Sequence, residues 1–293
     1  MSKSPFRIAV ASGKGGTGKT LVSTNLFFTL LQHDYRVNLV DCDAEEPNAM
    51  VFLKGALGYF HDVTQKVPVI NESLCTFCGK CHDYCAYNAI FIIPPAKIIK
   101  VMEELCHGCG ACVVACEQNA ISEKEVSLGT ITHYTATSKN SIIEARMKVG
   151  VYSPVAVIKT AIQEASFAEI VILDSPPGTS CPFIQTVASA DFVILVTEPT
   201  PFGLSDLKQS VETLKTMNKQ YGVIVNRAGL GNNAVYEYLS KENIPLLMEI
   251  PFDKAIASHY SKGELVAQHR PQWEAQLFDL YNSIRRAYGN CNN

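Results

Sequence analysis

The feature that most constrains this chain is Gly13-Lys14-Gly15-Gly16-Thr17-Gly18-Lys19-Thr20, set between an apolar run at residues 6–11 and a helix-like segment at residues 21–32. A loop of this composition turns a buried strand into a helix. Its four glycines let the backbone approach an anion closely, and the N–H groups of the loop and first helical turn converge on it. Gly13, Gly15, Gly16, Thr17 and Gly18 are therefore expected to cradle phosphates. The pattern GxxxxGK followed by Ser or Thr is complete, which places Lys19 to reach the β- and γ-phosphates and Thr20 to bind Mg2+. A glycine-rich turn with a solvated lysine would leave the Gly18-Lys19-Thr20 order unexplained.

Further strand signals extend this to an α/β fold with a mostly parallel, doubly wound sheet. Residues 36–40 read as a second buried strand ending in Asp41-Cys42-Asp43, and residues 169–173 as a strongly apolar strand ending in Asp174-Ser175-Pro176-Pro177-Gly178. Carboxylates at the carboxyl ends of parallel strands beside a phosphate loop lie where Mg2+ and the attacking water are held. Asp174 takes the Walker B position, holding Mg2+ through water, and the Gly178 N–H can meet the γ-phosphate. Asp41 either supports the metal shell or satisfies helix N-termini. Strands at 192–197, 221–225 and 246–250 alternate with helices at 156–165 and 204–217, and Asn226-Arg227 closes the strand at 221–225.

After Pro47 the pattern breaks off, and residues 71–121 hold an internal repeat. Cys75, Cys78, Cys81 and Cys85 match Cys106, Cys109, Cys112 and Cys116, each run being C-x2-C-x2-C-x3-C. This is the signature of a bacterial-type ferredoxin with two 4Fe-4S clusters. A tight loop wraps three corners of a cubane, and the fourth cysteine crosses to the other cluster. The signature thus pairs Cys75, Cys78, Cys81 and Cys116 on one cluster, and Cys106, Cys109, Cys112 and Cys85 on the other. The proline that usually follows the fourth cysteine is Ala86 in one copy and Glu117 in the other. Residues 124–137 alternate like an edge hairpin, so the expected organisation is a discontinuous P-loop domain, 1–70 and 122–293, with an inserted module at 71–121.

Composition narrows the setting. The chain carries 25 Lys and Arg against 28 Asp and Glu, a net charge of −3, with no broad nucleic-acid footprint. No run of eighteen apolar residues is present and no signal-peptide core precedes the phosphate loop, so a cytoplasmic protein with no stable membrane insertion is expected. Eight of the 11 cysteines fall in the two metal-type runs, the usage of a reducing compartment.

Lys14, directly after the first glycine, gives the form KGGTGKT, which resembles the deviant Walker A loop of the superfamily containing MinD, ParA, Mrp and the nitrogenase iron protein. That resemblance implies a homodimer that closes on ATP, with Lys14 reaching across to the partner's nucleotide. It implies that Asp43, the second acid of the D-x-D, orients or activates the water. Residues 174–178 resemble the family's switch II sequence DxPPG, and Asn226, followed by Arg227, stands where an asparagine recognises adenine, favouring ATP over GTP; Pro251-Phe252-Asp253, after the strand at 246–250, is expected to wall the base pocket. Cys181 lies at the offset from Asp174 at which the nitrogenase iron protein binds a cluster shared across its dimer; the alternative is a buried structural thiol. MinD ends in a basic amphipathic anchor, whereas the acids Glu274 and Asp279 in the tail at 272–288 predict packing on the sheet.

The chain as a whole looks like the subgroup of these ATPases that contains an inserted ferredoxin. The resemblance implies ATP, ADP and Mg2+ as ligands and an ATPase in which nucleotide state gates electron transfer through two 4Fe-4S clusters to a redox partner. The alternative is an assembly or carrier factor serving an apo-metalloprotein acceptor. A spatial organiser of the MinD or ParA kind is disfavoured by the missing basic tail and the eight cluster cysteines.

Overall fold

The computed structural model describes residues 4–288. Among them the strands are β1 (Phe6–Ala11), β2 (Val37–Asp41), β3 (Ala56–Ile70), β4 (Ile90–Ile93), β5 (Ile98–Val101), β6 (Ile121–Thr137), β7 (Asn140–Met147), β8 (Ile170–Asp174), β9 (Phe192–Thr197), β10 (Gln220–Ala228) and β11 (Leu246–Pro251). Nine of them form one sheet in the order β11-β10-β9-β1-β8-β2-β7-β6-β3. Every pairing from β11 to β7 is parallel. The central strands β1, β2, β8 and β9 are rich in Val, Ile and Leu and almost entirely buried, as strands covered on both faces by crossover helices are. Their carboxyl ends therefore share one edge, and the loops there carry the candidate site.

The helix Lys19–Gln32 buries Leu21, Val22, Leu26, Phe27 and Leu30. It is packed in turn by the helix Pro271–Tyr288, which buries Trp273, Leu277, Leu280, Tyr281 and Ile284 in the same core. The tail thus packs on the body, and no helix among the described residues is long and apolar enough to cross a membrane.

The chain divides into two compact units. The first comprises residues 4–61, 131–146 and 155–288 of the described chain; the second comprises Asp62–Thr130 and Met147–Pro154. The second is wider than residues 71–121, because β3 and β6 are long strands that run on beyond the cysteine repeat. The hairpin expected within 124–137 is instead the single strand β6, whose turn partner is β7 across two residues. A connection that short enforces an antiparallel return. β7 then pairs with β2 in parallel, Leu39 opposite Ile142 and Asp41 opposite Glu144.

Inside the second unit β4 and β5 form an antiparallel pair, Ile90 opposite Val101. Its small core holds Cys81, Ile90, Cys112 and Ile121. So little apolar material is expected to need a covalent or metal staple to be stable.

Candidate functional site

The loop after β1 is shaped for its glycines. Gly18 has φ 101°, and a Cβ there would lie 2.5 Å from Asn226 Nδ2; at Gly13 one would lie 2.5 Å from the Asp206 carbonyl oxygen. Beside Gly15 and Gly16 there is open space. A cleft of about 450 Å3 begins at these glycines, Lys19 and Thr20, passes Asp43, Asn226 and Arg227, and ends at Pro251, Phe252 and Tyr260. One end thus offers backbone N–H groups and a cation, the other apolar and aromatic surface suited to a flat base. A second cavity of about 450 Å3, lined by Phe6, Tyr35, Glu169 and Tyr281 among others, contains none of the predicted site residues.

Lys19 is buried, which lowers its pKa, while the charges of Asp174 and Asp43 oppose that effect. Its Nζ donates to the Lys14 carbonyl at 3.5 Å, a long bond that a phosphate oxygen can replace. Burial raises the carboxyl of Asp43, and the Lys19 charge opposes the rise. Asp174 is fully buried and both its oxygens lack a hydrogen-bond partner of normal geometry, although the Thr20 and Ser23 hydroxyls lie close enough to favour its charged form. Its pKa is raised by burial. A buried carboxylate with two idle oxygens next to Thr20 fits a divalent cation, which would restore the missing favourable contacts.

Asp41 is employed differently. Its Oδ1 accepts the Asp43 N–H at 3.1 Å, and its Oδ2 accepts the N–H groups of Asn48 and Ala49, both at 2.8 Å. Burial and then the neighbouring Asp174 charge raise its pKa. Three of about four acceptor positions are spent on the loop that carries Asp43. Of the two roles open to Asp41, the geometry favours the bonding of backbone N–H groups over the metal shell.

Several expected ligand contacts are engaged within the chain. The Gly178 N–H donates to the Ser12 carbonyl at 3.1 Å rather than standing open to a γ-phosphate. Asn226 Nδ2 donates to the Thr17 carbonyl at 2.8 Å, and its Oδ1 accepts the Arg227 N–H at 2.8 Å. Asn226 therefore lines the cleft, but half of its amide's bonding capacity fastens the phosphate loop. Lys14 Nζ lies 3.7 Å from Glu198 Oε2, and Arg227 Nη1 lies 2.7 Å from Glu198 Oε1. Cys181 begins the helix Cys181–Ala188 and is exposed, so it is not a buried structural thiol.

Pro251, Phe252 and Asp253, expected as a wall of the base pocket, line the cleft, whereas Glu198 and Tyr260 were not singled out by the sequence as binding residues. Glu198 directly follows β9, and a strand-end acid next to a phosphate loop was the available signal; its partners at 14 and 227 are too distant in sequence to be read. Tyr260 stacks on Phe52, ring centroids 4.7 Å apart, which holds the apolar end of the cleft.

The second unit repeats itself in three dimensions. Cys75, Cys78, Cys81 and Cys116 line one cavity of about 190 Å3, and Cys85, Cys106, Cys109 and Cys112 line another of about 20 Å3. Corresponding thiols have the same exposure: Cys78 and Cys109 exposed, Cys81 and Cys112 buried, the other four intermediate. The Phe77 and Gly108 N–H groups donate to Cys75 and Cys106 Sγ at 3.4 Å, and those of Ala89 and Ala120 to Cys85 and Cys116 Sγ at 3.3 Å. Left-handed backbone recurs at matched positions, Phe77 with Gly108, Gly79 with Gly110 and Asn88 with Asn119. Burial pushes the thiols of Cys81 and Cys106 up and that of Cys112 up to about 11. Metal binding at these thiols must therefore expel protons. Glu117 and Lys80 both line the first of these cavities, where the exposed Glu117 carboxylate pairs with Lys80 at 2.5 Å.

A parallel sheet whose strand ends present a glycine loop, a buried lysine and an unsatisfied carboxylate defines a P-loop nucleotide-binding protein. The chain belongs to the CobQ/CobB/MinD/ParA nucleotide-binding domain family, whose model matches residues 8–266. It is 34% identical over 271 residues to an uncharacterized protein of Methanocaldococcus jannaschii, covering 88% of this chain and 90% of the relative. It is 26% identical over 237 residues to an iron-sulfur cluster carrier protein of Methanococcus maripaludis, covering 78% of this chain and 62% of the relative. Its fold is similar to that of the septum site-determining protein MinD of Pyrococcus horikoshii, complexed with Mg-ADP, with a TM-score of 0.56, 19% identity and 96% of each chain covered.

Proposed function

We propose that this protein is an ATPase working in iron–sulfur cluster assembly, delivering cluster iron to an apo-metalloprotein acceptor under nucleotide control. The observation that carries this reading is the presence, on one chain, of a P-loop cleft and two cavities each lined by four cysteines. The likeness to a relative named as an iron-sulfur cluster carrier supports it.

In this reading the loop Gly13 to Thr20 binds the ATP phosphates, Lys19 neutralises them, and Phe252 and Tyr260 flank the base. Thr20 and Asp174 would hold Mg2+, which supplies charge neutralisation at the phosphates. Asp43 positions the water, and Asp41 shapes the loop that presents it. Lys14 leaves Glu198 to reach the nucleotide of a second copy, and Gly178 leaves Ser12 for the γ-phosphate. Each exchange swaps an internal contact for a ligand contact, so ATP is the agent that resets the loops. β3 begins soon after the Asp43 loop and runs into the cysteine unit, which offers a covalent route for coupling. The action is placed in the cytoplasm, where thiols stay reduced.

A second reading is electron transfer through resident clusters. It is favoured by the thiol sets themselves: each cavity draws its fourth cysteine from the other repeat, and the matched N–H···S bonds suit a permanently held cubane. Anaerobic reconstitution followed by mixing with an apo acceptor, with Mg-ATP or Mg-ADP, tests the choice. Iron reaching the acceptor faster with ATP supports assembly; iron retained, with a reduction potential that differs between nucleotides, supports electron transfer.

A further inference from the structure

Away from the cleft and the cysteines, three side chains with metal-binding chemistry meet on the surface. His259, Glu264 and His269 each offer a ligand atom, and these atoms all lie within 4.8 Å of one another. His259 Nδ1 is 2.7 Å from Glu264 Oε2, and His269 Nε2 is 3.9 Å from the same oxygen. Ligands held about 2.0–2.1 Å from a tetrahedral ion stand about 3.3–3.4 Å apart, a value these two spacings bracket.

The backbone that brings them together is fixed independently of the three side chains. His259 is in the last turn of the helix Lys254–Ser261, and the chain reverses at Gly263, where φ is 68° and a Cβ would lie 2.8 Å from the Val51 carbonyl oxygen. Only glycine fits that turn, and it returns the Glu264 N–H to the His259 carbonyl at 2.9 Å. His269 ends the helix Val266–His269, which is anchored by buried Val266 and Ala267 and by the Ala267 N–H donating to Asn25 Oδ1 at 2.7 Å. Arg270, the next residue, pairs at 2.6 Å with Asp253, whose other oxygen caps the helix bearing His259. Both ends of the triad are thus tied down by contacts that do not involve it, which is the preorganisation a small-ion site requires. The two imidazoles now stack, centroids 4.6 Å apart and 11° from parallel. A turn of the half-exposed His269 ring about its Cβ–Cγ bond redirects its lone pair toward the shared carboxylate.

We propose that His259, Glu264 and His269 form a binding site for a divalent first-row transition-metal ion such as Zn2+ or Fe2+. Two imidazoles and one carboxylate suit such an ion and leave positions open for water or an incoming ligand. Mg2+, which prefers oxygen donors, would be a poor competitor. The helix Lys254–Ser261 that carries His259 also contributes Ile256, Ala257 and Tyr260 to the nucleotide cleft, so the ion would sit on the back of a wall of that cleft.

The test is Co2+ titration of the full-length, cluster-loaded protein in excess Mg2+ and ADP, followed by absorption, with Glu264→Gln and His269→Ala as variants. Both substitutions fall on partly exposed side chains outside the core. The expected result is one Co2+ bound without a thiolate charge-transfer band. In either variant its affinity falls by at least about tenfold, the least that loss of even an outer-shell partner causes. Binding of equal stoichiometry and affinity in all three proteins, binding that carries the thiolate band throughout, or no binding to the unmodified protein would each overturn the proposal.

Discussion

The cleft and the cysteine unit are built on opposite principles. Around the phosphate loop nearly every group expected to touch nucleotide already has a stand-in: Gly178 holds Ser12, Asn226 holds Thr17, and Lys14 holds Glu198. The Asp174 carboxylate and the Thr17 hydroxyl are left without a hydrogen-bond partner. Around the cysteines, Cys81 and Cys112 pack in the small apolar core, while Cys75, Cys85, Cys106 and Cys116 accept backbone N–H groups in a pattern that repeats between the two halves. A region that trades contacts can change state when a ligand arrives; a region whose donors are fixed and matched can hold one state. In the function proposed above, the first region would switch and the second would carry the cluster until an acceptor takes it.

Substitutions that separate the two regions can break this comparison. The largest effect is expected from Lys19→Ala, which should lower ATP hydrolysis by at least about a hundredfold, as loss of a preorganised charge donor does, while iron content stays unchanged. Lost iron in that variant would mean that the regions are not separable. Cys116→Ala should remove about half of the bound iron, since it opens one four-thiol set and leaves the other; basal hydrolysis should persist. Gly18→Ala should weaken nucleotide binding by roughly ten- to a hundredfold, because the residue at φ 101° and its clash with Asn226 carry on the order of 1–3 kcal/mol of strain. Isothermal titration with ADP checks this.

Asp174→Asn sharpens the comparison from the side of stability. A carboxyl whose pKa is raised in the folded chain binds more protons there than in the unfolded chain, so its contribution to stability falls as pH rises above the ordinary carboxylate range. Each unit of displacement corresponds to about 1.4 kcal/mol. At neutral pH the asparagine variant without nucleotide should therefore melt a few degrees higher than the unmodified protein, yet lose Mg-dependent hydrolysis. A lower melting temperature would show that the buried charge is compensated.

Much of the sheet was legible because its strands are buried and apolar: residues 6–11 and 192–197 read as the strands that β1 and β9 are. β3 was not, since it is largely exposed and mixes Gly58, Asp62, Lys66 and Pro68 with its apolar residues. β7 escaped because its Ile142 and Ile143 sit among polar neighbours, and its place beside β2 is a matter of topology rather than pattern. In the candidate site, residues that act through local spacing could be named from the sequence, the glycine loop and the cysteine runs above all. The engagement of Gly178 and Asn226 could not, because it depends on where distant loops come to rest. The pairing of Glu198 with both Lys14 and Arg227 is invisible until the ends of three elements converge.

The central claim is that the nucleotide governs what happens at the cysteines. Its most direct test is iron transfer from the anaerobically reconstituted protein to an apo acceptor, followed in parallel with Mg-ATP, with Mg-ADP and with no nucleotide. The account predicts a transfer rate that rises with Mg-ATP over both controls, and a loss of that rise in Lys19→Ala. Equal rates under all three conditions, with clusters loaded and nucleotide bound, would contradict it.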